Sequence, residues 1–325
     1  MNIILTGGSG YLGIHILNKL LKLKNINIIV IDNFSNSNPN IIKKIYNKNK
    51  RKITIKKIDI TKKKSLIEIF QKYSIEYIIH LAAKIDAKES IKKKNLYYRT
   101  NLKGTKNLVD LSNYFKVKRF IFASSAAVYG NTKKNYCSEK QKKKPINPYG
   151  ETKLKAEEYI IKNLVKTNYY IARIFNLIGL KHGNINYYKR RSSIFFKLIY
   201  SAKKKNKLIN LNVFKKNKRN YYTVRDFVSV DDASNILIKT LFIKKKNIIF
   251  NCGTGVKTQI IELINFYEKA LKIKFKIRHK IKPKSDPNSI IASTKLFKNL
   301  FKNYKMNKVK DINDDLSKSF LTIKR

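Results

Sequence analysis

Short runs of branched aliphatic residues recur through the first half of the chain, at 2–6, 26–31, 53–58, 76–81, 118–124 and 169–173. Apolar runs of this length, bounded by turn residues, suit strands that are covered on both faces. Between them, near 11–23, 38–48, 63–73, 95–115 and 148–166, lie amphipathic or capped stretches with helical spacing. Strand and helix in alternation predict an α/β fold, a doubly wound parallel sheet with helices on both sides. After about residue 176 the regularity fades. "GLKHGNINYYKRRSS" and "VFKKNKRNYYTVRDF" read as long loops around short elements, followed by a strand near 247–251, a helix near 258–271 and a strand near 273–277. The change in pattern predicts a first domain over 1–175 and a smaller C-terminal α/β domain over 176–325, with some crossover of chain between them.

Composition narrows the class without naming a function. The chain has 325 residues, 43% of them hydrophobic, with 17 Phe and 20 Tyr, enough for a substantial core. Its formal charge of +53 would suit a polyanion partner. The lysines, however, are scattered through helices and loops alongside abundant Asn, Ile and Tyr, the signature of an AT-rich coding sequence, so no specific nucleic-acid partner is expected. Cys137 and Cys252 lack metal-ligand spacing, and no metal site is expected. Two isolated cysteines, with Met1 leading directly into a strand, suggest a reducing cytoplasm and no secretory leader. No apolar run approaches the ~18 residues of a membrane span.

The first specific chemistry lies between the first strand and the first helix. "TGGSGYLG", Thr6 to Gly13, carries glycines at 7, 8, 10 and 13. Such a loop permits a tight turn and close approach of a pyrophosphate to backbone amides at the helix start. Strand before and helix after supply the context that the motif requires. The second strand ends in Asp32, where a carboxylate accepts bonds from ribose hydroxyls and repels a 2′-phosphate. Together these features predict a Rossmann-type domain that binds NAD.

The second candidate is "NPYGETK", in which Tyr149 precedes Lys153 by one helical turn. Spacing alone has little force, since Tyr-x-x-x-Lys also starts at Tyr46, Tyr114, Tyr129, Tyr136, Tyr200 and Tyr304. Only the copy at Tyr149 combines a helix-opening proline, Pro148, with an upstream loop serine, Ser125, at the end of a predicted sheet strand. A nearby ammonium favours a phenolate, so Lys153 is expected to lower the pKa of Tyr149 and make it a base.

"TGGSGYLG", Asp32-Asn33, "ASSAAVYG", "NPYGETKLKAEE" and "VRDF" together resemble the extended short-chain dehydrogenase/reductases that act on nucleotide sugars, and among them the UDP-glucose (UDP-galactose) 4-epimerases. The resemblance runs over nearly the whole chain and is densest in 1–180. It implies a C4 epimerisation of a UDP-hexose, as in galactose metabolism, by transient hydride transfer to tightly bound NAD through a 4-keto sugar. Tyr149 would be the base, Lys153 its electrostatic support and nicotinamide-ribose ligand, and Ser125 the sugar-oxygen partner. It further implies cofactor contacts from Gly7, Gly10, Tyr11, Leu12, Gly13, Asp32, Asn33, Asn36, Ser37, Asp59, Ile60, Leu81, Ala82, Ala83, Asn101 and Phe175, besides Tyr149 and Lys153. Ser125, Tyr149, Asn176, Ser193, Arg225 and Asp286 would bind the UDP-sugar, Arg225 at the diphosphate. A homodimer is implied, with 95–115 and 148–166 as the candidate interface.

The chain departs from the family in places. Family dehydratases carry an acidic pair after the serine or threonine, whereas this chain has Ala126 and Ala127, which cannot move protons. The family lysine after the fourth strand stands one place early, as Lys84. The C-terminal Arg-x-Gly-Asp becomes Pro283-Lys284-Ser285-Asp286, so a second diphosphate arginine is absent or replaced by Lys282 or Lys284, which lack its fork. Alternatives to the hexose epimerase are another nucleotide-sugar epimerase, for instance on N-acetylhexosamines, a reductase or dehydratase, and a non-enzymatic dinucleotide-binding protein with a basic surface.

Overall fold

The computed structural model describes residues 1–132, 136–180, 193–202, 204–216 and 219–309. Six strands, β1 (Asn2–Thr6), β2 (Asn27–Ile31), β3 (Ile53–Lys56), β4 (Tyr77–His80), β5 (Arg119–Ser125) and β6 (Asn168–Ile174), lie where the aliphatic runs place them. With Ile248–Cys252 they form one seven-stranded sheet in the order β3-β2-β1-β4-β5-β6 and then Ile248–Cys252. Every pairing in it is parallel. Part of the C-terminal half thus returns to the main sheet, against β6.

The alternation of side chains along β1 shows why the sheet needs cover on both sides. Ile3 and Leu5 pack into one core with the helix Tyr11–Leu20, while Ile4 packs into another with Leu66, Phe70, Leu108 and Ile160. Sheet order reverses between β1 and β4, so a crevice opens beyond their carboxyl ends, where this architecture binds ligands.

The helix that carries Tyr149 runs from Pro148 to Asn163. It starts there because Asn147 accepts a bond from the Gly150 amide at 2.9 Å and Pro148 occupies the first turn, where its missing N–H costs nothing. The stretch expected as one helix over 95–115 is instead broken into Lys94–Tyr97, a π-helical turn Tyr98–Lys103, and Gly104–Tyr114. Such turns cluster at functional sites, and this one carries Asn101, buried behind the crevice.

The irregular reading of the second half needs correction. Part of "VFKKNKRNYYTVRDF" belongs to Leu208–Lys216, which pairs antiparallel with Arg219–Tyr222 and parallel with Lys276–Ile281. Burial of Ile209, Leu211 and Val213, with exposed or half-buried residues between them, gives the period of two that the lysines obscured. The strand expected at 273–277 is displaced to Lys276–Ile281. Helices Ile194–Ala202 and Val230–Lys239 are further elements missed in the sequence, although Ser229 caps the second by accepting from the Asp231 amide. The loop expected between Gly179 and Ser193 has its residues 181–192 outside the described residues. Among the described residues, no helix is long and apolar enough to cross a membrane.

Candidate active site

Two cavities meet beyond the carboxyl ends of the central strands. One, about 490 Å³, runs along Gly7, Gly10–Gly13, Asp32, Asn33 and Leu81–Lys84 to Ser125, Tyr149 and Lys153. The other, about 960 Å³, extends from Ser125, Tyr149 and Asn176 toward Arg225, Lys197, Lys204 and Lys280. Ser125 and Tyr149 stand on the wall of both.

The glycine loop is shaped by what it excludes. A Cβ on Gly13 would sit 2.2 Å from the carbonyl oxygen of Gly7, and one on Gly7, whose φ is +69°, would sit 2.8 Å from the Ala82 amide. Gly10 precedes the helix without a side-chain cap, leaving first-turn amides available to an anion. Ser9 Oγ is buried in the same loop without a hydrogen-bond partner. Asp32 fixes the loop by accepting from the Ser9 amide at 3.0 Å, and it also accepts from the Phe34 amide at 2.8 Å and from Ser37 Oγ at 3.3 Å. A glycine cradle, an orphaned hydroxyl and a carboxylate at the end of β2 fit a dinucleotide with unmodified ribose hydroxyls. Gly13→Ala should lower affinity for NADH by about 10-fold or more, because an added methyl forces backbone apart at a cost of about 1–3 kcal/mol. A fluorescence titration with NADH measures it, and unaltered affinity would remove the loop from the binding site.

The expected cofactor contacts distribute in two ways. Gly7, Gly10, Tyr11, Leu12, Gly13, Asp32, Asn33, Asn36, Ser37, Ile60, Leu81, Ala82, Ala83, Tyr149, Lys153 and Phe175 line the first cavity, as do Ser193, Asn176 and Asp286 from the expected substrate set. Asp59 and Asn101 do not line it. Asp59 instead accepts from Asn33 Nδ2 at 3.1 Å, orienting a wall residue. Asn101 is spent on support: its amide group bonds the backbone N–H and C=O of Lys84 and donates to Thr152 Oγ1. Phe196, Leu177 and Ile58 join the wall without having been singled out in the sequence, since no motif marks an apolar contact.

The Ser125 hydroxyl shares the cavity wall with the Tyr149 phenol and favours its ionised form. Lys153 Nζ donates to the Ala123 carbonyl at 2.7 Å and lies 4.6 Å from the centroid of the Phe122 ring. The expectation that Lys153 makes the phenol acidic is not met. Burial raises the Tyr149 pKa, with the nearby Ser125 hydroxyl pulling the other way. Burial also lowers Lys153, to about 7, against the opposing attraction of Glu157. Burial thus favours the neutral form of both groups at the cavity wall.

His80, beneath the loop, bonds Thr6 Oγ1 at 2.7 Å through Nδ1 and Thr105 Oγ1 at 2.9 Å through Nε2. Thr105 donates to the Asn101 carbonyl, so it accepts from Nε2–H, which leaves Nδ1 to accept from Thr6. Burial, followed by the Lys153 charge, pushes His80 down to about 3 and keeps it neutral. This chain of bonds ties the end of β1 to Asn101 and thereby to the helix of Tyr149.

Arg225 lies in the wall of the second cavity but is largely engaged. Its Nη2 donates to Asp286 Oδ1 at 2.5 Å and to the Pro287 carbonyl, while Nη1 donates to the carbonyls of Val224 and Asn288. Asp226 does not pair with it. Its carboxylate is buried and accepts from the amides of Thr254, Gly255 and Ala292 and from the Thr254 hydroxyl, pinning the strand pair that presents Arg225.

Comparison with known proteins gives a consistent set. The model of the NAD dependent epimerase/dehydratase family matches residues 3–253. A UDP-glucose 4-epimerase of Cyamopsis tetragonoloba is 31% identical, the match covering 82% of this chain and 80% of that one. The UDP-Glc/GlcNAc 4-epimerase of Campylobacter jejuni superposes with a TM-score of 0.81 at 25% identity over 99% of each chain. A UDP-glucose 4-epimerase of Stenotrophomonas maltophila, at 23% identity, shares the fold with a TM-score of 0.87 over 100% of this chain and 99% of that one.

Proposed function

Because the chain belongs to the NAD dependent epimerase/dehydratase family, we propose that it interconverts UDP-galactose and UDP-glucose by epimerisation at C4. The observation that carries this reading is the position of Ser125 and Tyr149 at the meeting of two cavities, with Ala126 and Ala127 beside them instead of a second acid–base pair. A site equipped to move a single proton suits oxidation and reduction of one alcohol, whereas elimination of water needs more.

NAD, when bound, supplies a hydride acceptor that returns the same hydride, and its oxidised form adds positive charge beside the phenol. Ionised by the added charge of the oxidised cofactor and of Lys153, Tyr149 as phenolate takes the proton from the sugar 4-hydroxyl as the C4–H bond is broken and gives it back when the resulting ketone is reduced on its other face. Ser125 donates to the sugar or phenol oxygen and keeps the two aligned. Lys153 contributes charge from beneath and binds the ribose hydroxyls of the cofactor. Asn176, Ser193, Arg225 and Asp286 hold the UDP portion, with the Arg225 guanidinium exchanging some protein partners for diphosphate oxygens. The break at 175–176 then separates a mainly NAD-binding part from a mainly sugar-binding one.

The same reading gives a homodimer through the helices Gly104–Tyr114 and Pro148–Asn163. Support comes from Tyr114, Ile161 and Val165, large apolar side chains exposed at or near these helices. Cys137 and Cys252, both buried free thiols, suit a reducing cytoplasm.

The test is incubation of the purified protein with UDP-galactose and no added NADH, followed by separation of the products. UDP-glucose should appear at the expense of UDP-galactose, with no net cofactor consumption. Loss of water, or turnover only with stoichiometric NADH, would replace the epimerase by a dehydratase or a reductase. A parallel arm with UDP-N-acetylgalactosamine measures the preference between hexose and N-acetylhexosamine.

A further inference from the structure

One turn beyond Lys153 on the same helix, Glu157 is a carboxylate only 1% exposed, and it has no direct part in the chemistry above. Its surroundings are built. Arg173, near the end of β6 and equally buried, donates Nε to both carboxylate oxygens at 3.1 and 3.2 Å and Nη2 to Oε2 at 2.7 Å. Ser124 Oγ, at the end of β5, donates to Oε1. The arginine is itself fixed, since Nη1 donates to Tyr129 Oη at 3.1 Å and to the Glu139 carbonyl at 3.0 Å. The carboxylate is therefore held from two strands at a set depth below the reactive end of the helix.

We propose that Glu157 is a positioning residue for the reaction: clamped by Arg173 and Ser124, it supplies the buried counter-charge that favours the ammonium form of Lys153 and holds the Tyr149 helix in register with Ser125. This rests on the reading of Tyr149 and Lys153 as the reacting pair. Geometry and charge point the same way. Among the described residues, the carboxylate whose charge bears on Lys153 is Glu157, one turn along the same helix. From β4 Lys153 faces His80, which is neutral, from β5 the Ala123 carbonyl, and from its own helix Tyr149, whose phenol is held protonated by burial. On the β6 side stands the Arg173 cation, beyond Glu157. Removal of the glutamate charge would leave two buried cations on one side of the helix with nothing to balance them, and the lysine is the one able to lose a proton. Ser124, next to Ser125 in the chain, makes the clamp a register device as well, because the strand end that presents Ser125 is tied to the helix that presents Tyr149.

The experiment follows acetylation of Lys153 by acetic anhydride as a function of pH in the purified protein without nucleotide sugar, with site-resolved peptide mass spectrometry. In Glu157→Gln the pH of half-maximal labelling should fall by about 1 unit or more, the size of effect expected from loss of a close opposite charge, and Glu157→Asp should restore most of it. The falling alkaline limb of the kcat profile should move down by the same amount. A folded Glu157→Gln variant whose Lys153 titrates as in the parent overturns the proposal and leaves Glu157 a structural clamp. If Glu157→Gln does not fold, Ser124→Ala loosens the carboxylate without stranding a charge. It should shift Lys153 in the same direction by less, and no shift there also overturns the proposal. Labelling needs no turnover, so a wrong assignment of the substrate would leave this result intact.

Discussion

Tyr149→Phe lowers the rate of UDP-galactose conversion by at least about 100-fold, the scale on which a positioned acid–base group acts. Phenylalanine keeps the ring and its packing against the cavity walls, and removes only the hydroxyl, where the two cavities meet beside Ser125. The loss should appear in kcat while KM changes little, because a proton-transfer group acts between ground state and transition state. NADH affinity should stay within a few-fold of the parent, since the glycine loop and Asp32 are untouched. Unchanged turnover would take Tyr149 out of the mechanism and leave Ser125 as the nearest hydroxyl. A matched fall in NADH affinity would instead mean that the variant damages the cofactor site.

Arg173→Met destabilises the folded chain by about 3–5 kcal/mol, the cost of breaking a buried ion pair by removing one partner. The methionine fills most of the space, but it leaves the Glu157 carboxylate with the Ser124 hydroxyl as its remaining partner in a site that admits almost no water. An unpaired carboxylate is costly to keep ionised out of water, so the deficit should be larger at pH 8 than at pH 5. Urea midpoints of the parent and the variant at pH 5 and pH 8 measure this. Arg173→Met combined with Glu157→Leu should recover part of the loss, since the stranded carboxylate is gone and Lys153, left without its counter-charge, can shed its proton. A single variant as stable as the parent at both pH values would show that the pair contributes little and that the fold tolerates the bare carboxylate.

The features legible in the sequence were those set by neighbours a few residues apart. β1 to β6 and the strand at Ile248–Cys252 follow from aliphatic runs, and the helix at Pro148 follows from Asn147 and the proline itself. Where the signal was overlaid, it failed. Asn210 and Asn212 between Ile209, Leu211 and Val213, with lysine-rich stretches on either side, hid a strand, and the widened turn at Tyr98–Lys103 left no trace in periodicity. Glu157 was within reach, since it lies four places after Lys153, and a single arginine inside "YYIARIF" is a charge that a buried strand must pair.

By itself, then, the sequence determined that the chain folds around a parallel sheet with a glycine loop after its first strand, a carboxylate at Asp32 ending its second and a tyrosine one helical turn from a lysine. Each is a matter of local spacing along a strand or helix. Only the tertiary structure decided how those groups ionise and whom they face. Tyr149 is made less acidic and Lys153 less basic because strands from distant parts of the chain bury them. Arg225 is engaged by Asp286 from 61 residues away, and Lys153 is balanced by a glutamate that an arginine of another strand holds in place. Burial and long-range pairing depend on which surfaces meet, and that is fixed when the whole chain packs.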